Sequence, residues 1–562
     1  MAYTLQNEAQ RIFHTIISDP RLLIPDEIKA QADKVKFVGE ETQPYFPTPW
    51  KAAETQAALL GSIGLFATAI SKERYGLDEI ATIDLENALL SGLAIGVMRG
   101  NGKPVPILPK TAEVTRRWDH GNTRELYRQL GTNIYKTRDG QWYQLHGSMD
   151  ATPLLRMLNL PQHDEKNRSW SEIIDMYAEV VGQIDAEELD TWSNNVYRIP
   201  GCRCFKLGEL ETLPHGKAIK DEPWYNLIPQ PYYEQPPAQW VLPPDTADRR
   251  PLSGIRVLDM TRAVAGPTIA KVLAALGATV IPVASSANNE LPVTLIEACL
   301  NKISVDIDLK TFEGGKKFLE LTQDADVFID GYRPSVLEHL GFGRDAVFGL
   351  VSARSRGIVY CQENCYGWKG PWSGRPGWAQ IGDTASGVGF ACGKFHGYDE
   401  PHIFPGPNAD YLCGHAGAIG ALHALYQRSK TGGSYLVQAS LIVSNLQMMS
   451  YGQYSDEQIT ALKKRNKNII GKPRYYDDIM AQSSKNLLVE GVCADRPLEK
   501  ALREEFYQSV DGSAWGYDHP LEVIRVGVTL STSRTDFVLS SAPCGYHLPQ
   551  WELKKNPDFV PL

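Results

Sequence analysis

Residues 252–283, LSGIRVLDMTRAVAGPTIAKVLAALGATVIPV, open with a short apolar strand, pass through a glycine-containing turn into a helix, and end in a second strand. Strand, helix and strand within about thirty residues make a βαβ unit. The alternation continues through SVDIDL, the helical FEGGKKFLELTQ, the strand ADVFID and then YRPSVLEHLGF. This predicts an α/β fold built on a doubly wound, Rossmann-like parallel sheet. Ala265-Gly266-Pro267 does not follow the G-x-G-x-x-G spacing, so no NAD site is assigned. Ligands in such sheets bind beyond the carboxyl ends of the strands, beside helix N-termini.

Downstream, residues 407–428, PNADYLCGHAGAIGALHALYQR, have helical spacing, with Gly414, Gly417 and Gly420 along one face and Asp410 in the first turn. Repeated glycines let another backbone approach closely, and the helix N-terminus favours an ionised acid. The plain alternative is that Asp410 is a helix cap.

Upstream, residues 223–251 carry PWYNLIPQPYYEQPPAQWVLPPD, too rich in proline for a helix or a central strand, and read as a linker across a surface. Before it, NIYKTRDGQWYQLHG alternates apolar and polar residues around an Arg-Asp-Gly turn, which predicts a hairpin. The helical patterns SWSEIIDMYAEVV and DAEELDTWSNNVY follow, giving a smaller α+β domain. Residues 51–100 are helical and apolar, AAETQAALLGSIGLFATAI and then IATIDLENALL. Overlaying this stretch on 407–428 puts Gly61 on Gly417, Ile63 on Ile419, Gly64 on Gly420 and Glu54 on Asp410, an internal repeat. The expected units are therefore 1–125, a partial and degenerate large-domain segment; 126–222, the small domain; 223–251, the linker; 252–470, the large domain with Asp410; and 471–562, a shortened small-domain remnant and return segment.

A chain of 562 residues is too long for one core. The net charge of −9 and pI near 5.8 argue against a nucleic-acid surface and for a small-molecule ligand. Nine cysteines lack zinc-site spacing with nearby histidines and read as reduced structural thiols, with no metal assigned. The N-terminus lacks a signal-peptide pattern and no run of about 18 apolar residues stands out, so a cytoplasmic protein without membrane partners is expected.

Taken in order, LSGIRVLDMTRAVAGPTIAKVLAALGATVI, LNKISVDIDLKTFEGGKKFLELTQDADVFIDGYRPSVLEHLGF, YGWKGPW and NADYLCGHAGAIGALHALYQRSKTGGSYLVQASL resemble the family III CoA-transferases. That group is of CaiB/BaiF type and includes formyl-CoA and carnitine CoA-transferases, with α-methylacyl-CoA racemases as relatives. The resemblance implies transfer of CoA between carboxylic acids through an aspartyl-CoA thioester on Asp410, with acyl-CoA as substrate and no permanently bound cofactor. It places Ala263, Val264 and Gly266 where backbone meets the nucleotide, and Lys302, Arg333, His339, Arg375, Gln380, Gly414 and His415 around the substrates. Gly331 stands where the family pattern has asparagine, and Val280-Ile281-Pro282-Val283-Ala284 lacks the family's lysine near the adenosine phosphates, leaving Arg375 to compensate. The family usually forms interlocked homodimers; the internal repeat raises a monomer as the alternative. An enzyme of another class on the same fold, such as a lyase, decarboxylase, hydrolase or cyclase using Asp410 or a nearby histidine such as His415 for acid-base work, is the second reading. A non-catalytic scaffold is the third.

Overall fold

A computed structural model describes residues 3–105, 108–230, 235–240, 248–479, 481 and 491–560. Its main sheet has seven strands in the order Val305–Asp306, Thr279–Ala284, Arg256–Met260, Val327–Asp330, Val359–Asn364, Ser434–Ser440 and Asn226–Gln230. The first six run parallel and the last antiparallel. Chain order reverses between Arg256–Met260 and Val327–Asp330, so the loops after these two strands diverge and leave a crevice at their carboxyl ends.

The edge strand Asn226–Gln230 comes out of the proline-rich segment expected to be only a linker. Pro229 is tolerated there because an edge strand needs hydrogen bonds on one side only. The rest of that segment is described in part, since residues 231–234 and 241–247 lie outside the described residues.

Two helices of 24 residues form the centre of the core: Ala52–Tyr75 and Asn408–Thr431. The first is long and apolar enough to cross a membrane by length and composition, contrary to the expectation that no such stretch stands out, but its apolar window is wholly buried in protein. The second packs on the helix Ala265–Ala275. Gly414 permits this contact, because a Cβ there would stand 2.7 Å from the Ala265 carbonyl oxygen.

Smaller sheets surround this core. Val35–Val38 pairs parallel with Ala81–Asp84, which pairs antiparallel with Thr529–Leu530. Leu521–Ile524 lies between Tyr507–Val510 and Arg99–Gly100. The C-terminal 471–562 segment is thus joined by strand pairing to residues of the 1–125 segment. The hairpin forms from Ile134–Lys136 and Trp142–Leu145, with Gly140 at φ 75° in its turn, and Gly201–Arg203 adds a third strand.

Candidate active site

Asp410 is the third residue of its helix, after Pro407 at the cap position, and no side-chain cap bond is made there. Among the described residues nothing donates a hydrogen bond to its carboxyl, so the simple capping role does not account for it. The side chain is 7 % exposed, and that exposure is onto two cavities that meet at Asp410.

The larger cavity, about 680 Å³, lies beyond the carboxyl ends of the central strands. Its wall includes Arg262, Ala263 and Val264 from the loop after Arg256–Met260, Gly331 and Arg333 from the loop after Val327–Asp330, and Glu363 from Val359–Asn364. Met149, Asp150 and Arg198 complete the lining. Arg198 and Arg333 are exposed at its mouth, and no carboxylate pairs with either among the described residues. The Arg333 guanidinium donates to the Arg198 carbonyl at 2.9 Å. Arg262 donates to the Tyr332 hydroxyl at 3.0 Å and to the Asn289 carbonyl at 2.9 Å.

The second cavity, about 240 Å³, is the more apolar. Ile95, Thr123, Arg124 and Gln129 enter it from the N-terminal part of the chain, and Leu291, Val293 and Ile403 add apolar surface. His146 stacks on Trp378 with ring centroids 5.0 Å apart, and both line this cavity with Gln380. Burial pushes the His146 imidazole down to about 3, so it is neutral at physiological pH. Ala263 and Val264 border both cavities, and Ala263 has φ 65°. A non-glycine residue held in that region costs on the order of 1–3 kcal/mol, and such strain concentrates where backbone meets a ligand.

Burial holds the Asp410 carboxyl well above the usual carboxylate range, and the charges of Glu363 and then Asp383 raise it further. Glu363 is itself pushed up to about 8 by burial and then by Asp330, and Asp383 to about 7 by burial despite a hydrogen bond from Asn445. Three such carboxyls cannot all ionise at neutral pH. The charges of Glu363 and Asp383 oppose ionisation of Asp410, and the field of the helix N-terminus acts in the opposite sense. Among the described residues no cluster of His, Cys, Asp and Glu is arranged to hold a metal ion.

Of the residues singled out from the sequence, Ala263, Val264, Arg333 and Gln380 line the cavities with Asp410. Gly266 and Gly414 do not touch them and act in packing, Gly266 against Thr261 and Gly414 against Ala265. Lys302 is wholly buried beneath the sheet and ion-paired with Asp259 at 2.8 Å. Arg375 is paired with Asp190 at 2.8 Å and lies over Trp372, so it does not replace the missing phosphate-site lysine. His339 is exposed and bonds its own turn at Ser335. His415 is locked to Gln56 at 2.8 Å between the two long helices, and burial drives it down to about 3. It reaches neither cavity, which leaves Asp410 as the acid-base group of the second reading.

Sequence reasoning passed over Arg198, Arg262, Glu363 and His146. Glu363 carried little signal, since it lies between Gln362 and Asn364 at the polar end of VYCQEN. Arg198 had none, because only the fold brings it across to Arg333.

The CoA-transferase family III profile matches residues 252–473. An acetyl-coenzyme A transferase of Hypoxylon pulicicidum is 35 % identical, over 82 % of this chain and 80 % of its own. The chain belongs to CoA-transferase family III. A second relative, an acyl-CoA transferase of Gibberella moniliformis, is 31 % identical over 79 % of this chain and 78 % of its own. A solved CaiB/BaiF-family structure from Brucella suis is 20 % identical and covers 46 % of this chain and 81 % of its own, with a TM-score of 0.32. This CoA-transferase is thus a mixed α/β protein whose parallel-stranded sheet carries the matched region.

Proposed function

We propose that this transferase moves CoA between two carboxylic acids, with Asp410 as nucleophile. The observation that carries the reading is an acid free of hydrogen bonds, standing where a large cavity with arginines at its mouth meets a small apolar one. Phosphates bind best to guanidinium groups with no protein carboxylate to satisfy them. Arg198 and Arg333 therefore receive the phosphates of CoA, and the pantetheine arm runs down the large cavity to Asp410. The acyl group enters the apolar cavity, whose size suits a short chain such as acetyl, the donor in the name of the Hypoxylon relative.

Asp410 attacks the thioester carbon, the thiolate leaves, and a mixed anhydride forms. The thiolate then attacks the Asp410 carbonyl of that anhydride and releases the first acid, leaving aspartyl-CoA. An acceptor carboxylate takes over from there, forming a new anhydride that the thiolate resolves to the new acyl-CoA. Shielding by the cavities keeps water from the anhydride. We also read the sheet as doubly wound and residues 45–235 as a degenerate second copy. On that reading Ile95, Thr123, Arg124 and Gln129 supply from the same chain a wall that a partner subunit would otherwise provide, so the site is complete in a monomer.

Incubation with acetyl-CoA followed by hydroxylamine or borohydride, read by mass spectrometry, tests the nucleophile. Modification at Asp410 is expected; millimolar acetyl-CoA leaving Asp410 unmodified, with no CoA bound, would overturn the reading. Light scattering of active enzyme tests the monomer, and activity confined to the dimer would reject it.

A further inference from the structure

The Glu363 side chain lies at the carboxyl end of its strand and opens into the large cavity, not the small one. Among the described residues nothing donates a hydrogen bond to it and no cation pairs with it. Glu363 and Asp410 line the same cavity, and the Glu363 charge raises Asp410 more than that of Asp383 does. Room for the acid is made by Gly331 on the adjacent strand end: a Cβ there would stand 2.6 Å from Glu363 Oε1. Gly331 and the acid at the polar end of VYCQEN thus meet at one place in space. A partly buried carboxyl with no partner costs stability, and such groups persist where they have chemical work.

Position decides which work. The acyl group sits on the far side of Asp410 in the small cavity, while CoA reaches Asp410 through the cavity that Glu363 lines. Glu363 therefore faces the sulfur and not the acyl oxygen. We propose that Glu363 is the general acid and base for the CoA sulfur, an assignment that rests on Asp410 being the nucleophile. As the Asp410 oxygen bonds the acyl carbon, the carbonyl π pair moves to oxygen and returns when the C–S bond breaks. The bonding pair leaves on sulfur and the Glu363 proton follows it, giving anhydride, CoA thiol and ionised Glu363. On return, Glu363 takes the proton back as sulfur attacks the Asp410 carbonyl carbon and expels the carboxylate. One proton thus shuttles with no net change. Burial brings Glu363 to about 8, near the value of an ordinary thiol, the match at which proton transfer is most effective.

The test compares two donors: acetyl-CoA, and an acetyl thioester of an aromatic thiol that leaves as a stable thiolate and needs no acid. Thiol release is followed as the single-turnover burst of the first acylation, read with a thiol-trapping dye, so that no acceptor is needed. Glu363→Gln, which keeps size and hydrogen-bonding, is expected to slow release from acetyl-CoA by about 10²–10⁴-fold and from the aromatic thioester by less than about threefold. The wild-type rate with acetyl-CoA falls as pH rises through the Glu363 value and the acid form is lost; in Glu363→Gln this alkaline limb disappears. Glu363→Asp, which keeps a shorter acid, restores part of the acetyl-CoA rate. Equal slowing with both donors, or no slowing with acetyl-CoA, would overturn the assignment. Failure of the parent reading looks different: Asp410→Asn would then retain thiol release from both donors.

Discussion

The helices Ala52–Tyr75 and Asn408–Thr431 begin almost alike and end at opposite fates. Both have 24 residues, both carry an acid at the third position, and the residues before them, Lys51 and Pro407, share φ and ψ to within a few degrees, at −75°, 57° and −81°, 58°. Both use glycines at matching places for close packing, Gly61 and Gly64 on one, Gly417 and Gly420 on the other. The difference lies in what meets the acid. Glu54 accepts hydrogen bonds from the hydroxyls of Tyr3 and Tyr454, the second at 2.9 Å, and faces neither of the two cavities that Asp410 lines. Asp410 accepts none and borders both. A carboxyl at a helix start is therefore not chemical by position; it becomes so when the protein withholds partners and leaves space.

The largest expected effect separates the two acids by activity. Asp410→Asn should lower transfer at least about 10³-fold, the scale at which a nucleophile that acts as part of a unit is missed, while Glu54→Gln leaves kcat within about threefold. Steady-state kinetics on both variants checks this, and a comparable loss in Glu54→Gln would erase the distinction.

Next come the glycines. Gly414→Ala sets a Cβ against backbone at Ala265 and should cost about 1–3 kcal/mol in denaturant unfolding, with a loss of activity as Asp410 shifts. Gly61→Ala meets the Phe37 ring at 2.7 Å, a side chain that can turn aside, and should cost less. Glu54→Gln should cost about 1–2 kcal/mol, because its amide cannot accept from both tyrosines as the carboxyl does.

The last effect is in pH. A buried carboxyl raised above its unfolded value holds its proton longer in the folded state, so stability falls as pH rises from about 4 through neutrality. Asp410→Asn removes that loss. Its melting temperature should exceed that of the wild type, and by more at pH 8 than at pH 5, a difference worth roughly 1–3 kcal/mol. An advantage independent of pH would show that Asp410 is not raised by its surroundings. The variant that destroys the nucleophile would then be the more stable protein, as expected when a site is kept at the expense of the fold.

The parallel sheet was legible because strand, turn and helix punctuate residues 252–330 at short range, and each element buries its own apolar pattern. Asp410 stood out as a candidate because its place relative to Gly414 is local. The charged residues were not legible: Lys302 matches a family lysine and Arg375 was expected to compensate for a missing one, yet Asp259 and Asp190 claim them, and those partners lie far off in sequence. The arginines that face the large cavity come from segments 135 residues apart in one case, where Arg333 meets the Arg198 carbonyl. Periodicity reports which face of an element is buried and says nothing of which distant side chain is waiting there. Proline content likewise misjudged Asn226–Gln230, because a sheet edge asks less of a backbone than its centre does.

The pairing of Thr529–Leu530 with Ala81–Thr82, and of Leu521–Glu522 with Arg99–Gly100, also sets a schedule. During synthesis the N-terminal strands emerge first but have bare edges until the other end of the chain leaves the ribosome. Contacts of such sequence separation form slowly, and an unpaired edge in the interval invites association with other nascent chains. The wall of the small cavity, built from those early segments, is thus among the last parts of the molecule to be secured.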